Sequence, residues 1–157
     1  MPTITAIVHT YNDGLRIARA VESLRACDEV LVIDHGSTDA TCAVARQFGA
    51  RVIMTTAAQC DTQSFLSEAR NDWILCLQPT ESVSEGLEAS LLEWKLTDHS
   101  GTSQIHIPIL EETEQGWTSK PAETRLVHRS AATWDGWKPW MGAGQEFEGQ
   151  MLRMRNP

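Results

Sequence analysis

The chain has 157 residues, a formal charge of −8 and a pI near 5.0, with 41% hydrophobic and 22% charged residues. That length suits a single domain with a real core, and the acidic balance excludes a partner held mainly through phosphate-backbone contacts, so no nucleic acid is expected. No apolar run approaches the ~20 residues that cross a bilayer, and no basic-flanked apolar leader opens the chain, so we expect no transmembrane segment and a cytoplasmic location.

The first apolar run, residues 4–8, reads as a strand that ends at His9-Thr10-Tyr11-Asn12-Asp13-Gly14. Leu15, Ala18, Val21 and Leu24 then recur at three- and four-residue steps, which predicts an amphipathic helix ending near Cys27. Residues 29–34 form a β-branched strand that stops at Asp34-His35-Gly36-Ser37-Thr38-Asp39, a strand delivering a polar turn. A helix over 40–48 follows, with Ser37 or Thr38 as its cap and Gly49 as its stop, and residues 51–54 make a third strand. The order β-α-β-α-β implies parallel strands joined by right-handed crossovers.

Residues 55–60 read as a loop, 62–70 as a helix with Phe65, Leu66 and Ala69 facing inward, and 73–77 as a fourth buried strand that stops at Gln78-Pro79. Ser84 is placed to cap a helix reaching Leu96. Beyond Asp98 the pattern changes to an alternating strand over 104–110, a turn in the acidic segment 111–116 and a return strand over 123–129. Residues 131–157, with Trp134, Trp137 and Trp140 among glycines, receive no assignment. Cys27, Cys42, Cys60 and Cys76 are singly spaced without a C-x-x-C pair, and read as reduced structural cysteines.

Four segments in register, residues 5–13, Val21-Glu22-Ser23-Leu24, 28–39 and 48–52, resemble family 2 glycosyltransferases, nearest to the bacterial branch that adds sugars to lipopolysaccharide core. The similarity runs through residues 3–96 and returns faintly at 125–136. It implies an α/β, Rossmann-like, mostly parallel sheet with helices on both faces (the GT-A type), ending in a β-hairpin or mixed C-terminal extension. One domain over 1–157 is expected, with a nucleotide-binding core at about 3–96 and a shortened acceptor-side region at 97–157. The implied partners are a nucleotide sugar such as a UDP-sugar and a glycan or lipid-linked acceptor. By the resemblance Thr10, Tyr11 and Asp13 line the nucleoside pocket, and Asp34 accepts a hydrogen bond from the base. Residue chemistry agrees, because a fixed carboxylate can read a base N–H and an aromatic ring can cover a base.

The family's Asp-x-Asp, whose carboxylates hold Mg or Mn against the diphosphate, is replaced here by Gln78-Pro79-Thr80, leaving Glu81 as the surviving acidic residue. The family's Arg-Asn pair is Thr62-Gln63. Asp135, Glu146 and Glu148 are the candidates for a general base. His9 and His35 end strands that should be neighbours: protonated, they could stabilise a leaving diphosphate, and neutral, with Asp34, they could bind a transition metal; the plain alternative is solvated turn histidines. Two readings stay open, a transferase and a catalytically degenerate module binding a nucleotide, glycan or protein, with a purely structural oligomer as a weaker third. The tryptophan cluster would then stack on a sugar, join subunits into a homo-oligomer, or form a satellite core.

Overall fold

The computed structural model describes residues 1–97 and 101–157. In chain order it contains β1 (Ile4–Thr10), α1 (Ile17–Glu22), β2 (Glu29–Asp34), α2 (Thr41–Gln47), β3 (Arg51–Met54), a 3-10 helix (Gln63–Glu68), β4 (Trp73–Cys76), β5 (Glu81–Val83) and α3 (Glu85–Lys95). Then follow β6 (Gln104–Thr113), β7 (Gly116–His128), β8 (Trp134–Asp135), β9 (Lys138–Pro139), β10 (Gln145–Glu146) and β11 (Met151–Arg153). The change of character expected after Asp98 begins outside the described residues.

Among the described residues nine strands share one sheet in the order β3-β2-β1-β4-β7-β6-β11-β5, with β10 added to β6. β3, β2, β1 and β4 run parallel, as the β-α-β order predicts, and β7 turns the sheet antiparallel. Connections leave β1 toward β2 on one side and return to β4 on the other. A doubly wound sheet opens a crevice beyond its strand ends at such a reversal.

All seven residues of β1 are buried, the burial expected of a central parallel strand covered on both faces. Ile4, Ala6 and Val8 join Ile17 and Val21 of α1, Ala45 of α2, and Leu87, Leu91 and Trp94 of α3 in one core. Ile7, Leu31, Ile33, Ile74 and Cys76 form the opposite core, under Phe65 and Leu66 of the 3-10 helix and under Trp134 and Trp137. The last two tryptophans therefore pack on their own chain, while Trp140 stays 57% exposed.

Several boundaries differ from expectation for local reasons. Leu15 is 83% exposed and lies before α1, because the N–H groups of Arg16 and Ile17 donate to the Asp13 carbonyl and fix a turn there. Neither Ser37 nor Thr38 caps α2; Asp39 does this work, accepting from the Thr41 N–H and hydroxyl. The helix expected over 62–70 is a 3-10 segment, and the Arg129 guanidinium donates to the Leu66 and Ala69 carbonyls at its C-terminal end. The turn expected over 111–116 contracts to Glu114 and Gln115, with Gly116 at φ +108°. Glu111 and Glu112 remain extended because Arg153 pairs with one and the Arg155 N–H donates to the other. β5, which carried no signal beside Pro79, exists through its antiparallel pairing with β11.

Candidate functional site

The carboxyl ends of β1 and β2 are laced together by their own turns. The Asp13 carboxylate accepts from the Thr10 hydroxyl (2.7 Å) and the Tyr11 N–H (3.0 Å), and the Asp13 N–H donates to the Thr41 hydroxyl (2.9 Å). Asn12, at φ +52°, donates its N–H to Ser37 and accepts from the Thr38 N–H. Asp39 accepts from the Gly14 N–H, and a Cβ on Gly14 would fall 2.9 Å from the Asp39 carboxylate and displace it from this junction. The result is a stiff double loop with its polar groups already oriented.

Above this loop lies an open cavity of about 460 Å³, within the range of small-molecule sites, lined by His9, Thr10, Tyr11, Asp13, His35, Ala57, Ala58, Cys60 and Pro79. It gathers the ends of β1 and β2, the segment after β3 and the residue after β4's terminal turn. Three of the four expected nucleoside residues, Thr10, Tyr11 and Asp13, face it together, and the Tyr11 ring is 60% exposed there. The fourth, Asp34, is fully buried beneath, with its carboxylate accepting from the Ser37 hydroxyl (2.5 Å) and from the N–H groups of Ser37 and Gly36. Burial pushes the Asp34 carboxyl up, but these bonds and the Cys42 thiol outweigh it and hold the group below its ordinary value.

The histidines are not solvated turn residues. His9 is buried, with Nδ1 2.8 Å from Nε2 of His35 and Nε2 2.9 Å from the Thr62 hydroxyl, while Nδ1 of His35 lies 2.7 Å from the Ala57 carbonyl. Burial, reinforced by His35 and opposed by Asp61, lowers the His9 pKa to about 4, so the protonated phosphate-binding form is disfavoured at neutral pH. Cys60 is exposed, which corrects its reading as a structural cysteine, and its Sγ stands with the two rings. Asp34, the carboxylate expected with the histidines, is outside that group. The two histidines were expected together from the ends of neighbouring strands; the member that no sequence spacing signals is Cys60, which comes from the loop between β3 and the 3-10 helix.

The positions of the family's Asp-x-Asp do not fit a carboxylate-held Mg or Mn. Gln78 and Thr80 are neutral, and both Glu81 oxygens are engaged by Arg125 (2.8 Å each), with neither residue exposed to solvent. The general-base candidates are scattered. Asp135 lies exposed on the β8–β9 hairpin, whose Gly136 and Trp137 carbonyls accept from Thr62, the residue bonded to His9. Glu146 and Glu148 line a different cavity beside α3, with Ser90 and Glu93.

Residues 5–79 match the model of glycosyl transferase family 2. A relative named as an uncharacterized glycosyltransferase of Rickettsia felis is 35% identical over 122 residues, covering 73% of this chain and 43% of its own length. This chain belongs to glycosyl transferase family 2. It spans less than half the length of that curated relative. In fold, the family 2 chain resembles S. aureus TarS 1-349 in complex with UDP-GlcNAc, with a TM-score of 0.60 at 20% identity over 73% of this chain and 36% of TarS. It also resembles glucosyl-3-phosphoglycerate synthase of Mycobacterium tuberculosis with phosphoglyceric acid, with a TM-score of 0.66 at 16% identity over 99% of this chain and 73% of the synthase. Among the described residues no helix is long and apolar enough to cross a membrane.

Proposed function

We propose that the cavity at the ends of β1 and β2 receives the nucleoside diphosphate part of a nucleotide sugar such as a UDP-sugar, as the donor site of a glycosyltransferase. The observation that carries this reading is the convergence of Thr10, Tyr11 and Asp13 on one cavity at the sheet's reversal point. Tyr11 supplies the exposed ring on which a base stacks, and the Thr10–Asp13 pair holds the loop beneath it. Asp34 reads the base N–H once the Ser37 hydroxyl that donates to its carboxylate rotates aside. The acceptor is a glycan or lipid-linked sugar, and Asp135 is the general base best placed, on the hairpin tied to Thr62. A cytoplasmic location accords with four cysteines free of disulfides.

Titration calorimetry of the full chain with uridine diphosphate tests the donor site. Tyr11→Ala should weaken binding roughly fivefold or more, from a stacking loss of about 1–3 kcal/mol. Absence of binding at millimolar nucleotide would refute the donor-site reading. Binding without sugar transfer to any glycan acceptor would favour the degenerate binding module.

A further inference from the structure

We propose that His9 Nδ1, His35 Nε2 and Cys60 Sγ form a site for a first-row transition cation of the zinc class, with an open fourth position facing the cavity.

The hydrogen-bond chain through these histidines is one proton short. It has four contacts: Trp137 carbonyl to Thr62 hydroxyl (2.8 Å), Thr62 hydroxyl to His9 Nε2 (2.9 Å), His9 Nδ1 to His35 Nε2 (2.8 Å), and His35 Nδ1 to the Ala57 carbonyl (2.7 Å). Both ends are carbonyls, which only accept, while one hydroxyl and two neutral imidazoles supply three protons. With every outer contact satisfied, Thr62 donates to Trp137, His9 donates from Nε2 to Thr62, and His35 donates from Nδ1 to Ala57. Two bare ring nitrogens then face each other. A cation between them completes the chain without charging either ring.

The outer contacts are also those that metal-binding histidines use. A ligating imidazole ordinarily donates its second N–H to a carbonyl or other oxygen, which fixes the tautomer and the ring. Here Ala57 and Thr62 do so for the two rings, and Thr62 is itself fully buried and anchored on Trp137. The third ligand is within reach, because one nitrogen of each ring and Cys60 Sγ all lie within 4.8 Å of one another. Zn–N distances of about 2.0–2.1 Å and a Zn–S distance of about 2.3 Å ask for separations of roughly 3.3–3.6 Å, so the rings part slightly and the exposed Cys60 side chain swings inward. Binding releases the thiol proton to solvent and leaves a thiolate ligand. Soft sulfur with imidazole nitrogen selects zinc, cobalt or copper over magnesium. This donor set is separate from the Gln78–Thr80 positions, which carry no carboxylate, and it does not depend on what fills the cavity.

Chelator-treated full-length protein titrated with Co2+ provides the test. We expect one Co2+ per chain, a thiolate-to-cobalt charge-transfer band in the near ultraviolet, and displacement by Zn2+. Cys60→Ser should abolish that band, and both Cys60→Ser and His35→Ala should weaken binding roughly tenfold or more. Cys42→Ser should retain band and affinity. Because buried His9 can compromise folding when replaced, the test rests on His35 and Cys60, with far-ultraviolet circular dichroism confirming the fold of each variant. Sub-stoichiometric Co2+ binding, or binding unchanged in folded Cys60→Ser or His35→Ala, would overturn the site. Uridine diphosphate binding is measured separately, so loss of the metal site leaves the donor-site reading standing and the converse also holds.

Discussion

Glu81 and Arg125 are both fully buried, and their paired oxygens and nitrogens form a two-point ion pair under the sheet. Arg125 further donates to the Cys76 carbonyl and to Glu123, and its guanidinium lies 4.6 Å from the centre of the Trp137 ring. Arg153 closes the network from β11. Removing Arg125 leaves the buried Glu81 carboxylate with only Arg153 and the Gln78 N–H as partners, so Arg125→Leu should destabilise by about 3 kcal/mol in chemical denaturation. Burial raises the Glu81 carboxyl, but Arg125, the Gln78 N–H and Arg153 together outweigh it and hold the group below its ordinary value of 4.5. Its contribution is thus present above the unfolded-state value and lost as pH falls through the lower folded value. Denaturation from pH 6 downward should show the wild type losing stability below about pH 4.5, with that part of the slope reduced in Arg125→Leu. In the sequence Glu81 could be recognised only as an acidic survivor beside a lost metal motif. Its inward turn depends on an arginine 44 positions later.

At the scale of elements, α3 was legible because its signals are local. Ser84 accepts from the Leu87 N–H (3.1 Å), Glu85 and Glu88 occupy the first turn, and Leu87, Leu91 and Trp94 lie on the buried face. The strands of the parallel half were equally legible from their apolar runs. β5, β10 and β11 were not, since two- and three-residue strands carry no periodicity and exist through their neighbours. Gly149 shows what fixes β11 in place. It has φ +87°, and a Cβ there would fall 2.3 Å from the Leu87 nitrogen at the start of α3. The flanking Ser90 hydroxyl donates to the Glu148 carbonyl, and the Gln150 N–H donates to Ser84. Gly149→Ala combines a left-handed backbone with a main-chain clash and should cost about 2–4 kcal/mol, read from the midpoint of urea unfolding.

The whole molecule joins a parallel half and a mixed half through the antiparallel pair β4 and β7, where Trp73, Ile74 and Leu75 face His128, Val127 and Leu126. The part that matches the family model stops at residue 79, yet β4 depends on β7 for its second edge and Glu81 depends on Arg125 for its charge partner. A fragment of residues 1–97 should therefore lack the cooperative thermal transition of the full chain, as followed by circular dichroism. The sequence by itself determined the α/β class, the parallel order of the first strands, the polar turns after them and the family, because apolar periodicity, glycine stops and short motifs act within a few residues of each other. Only the tertiary structure decided that Asp34 lies beneath the cavity, that Glu81 is bound inward, and that Cys60 joins His9 and His35. Those outcomes depend on which strands become neighbours, and the sheet sets that by hydrogen-bonding segments that stand far apart along the chain.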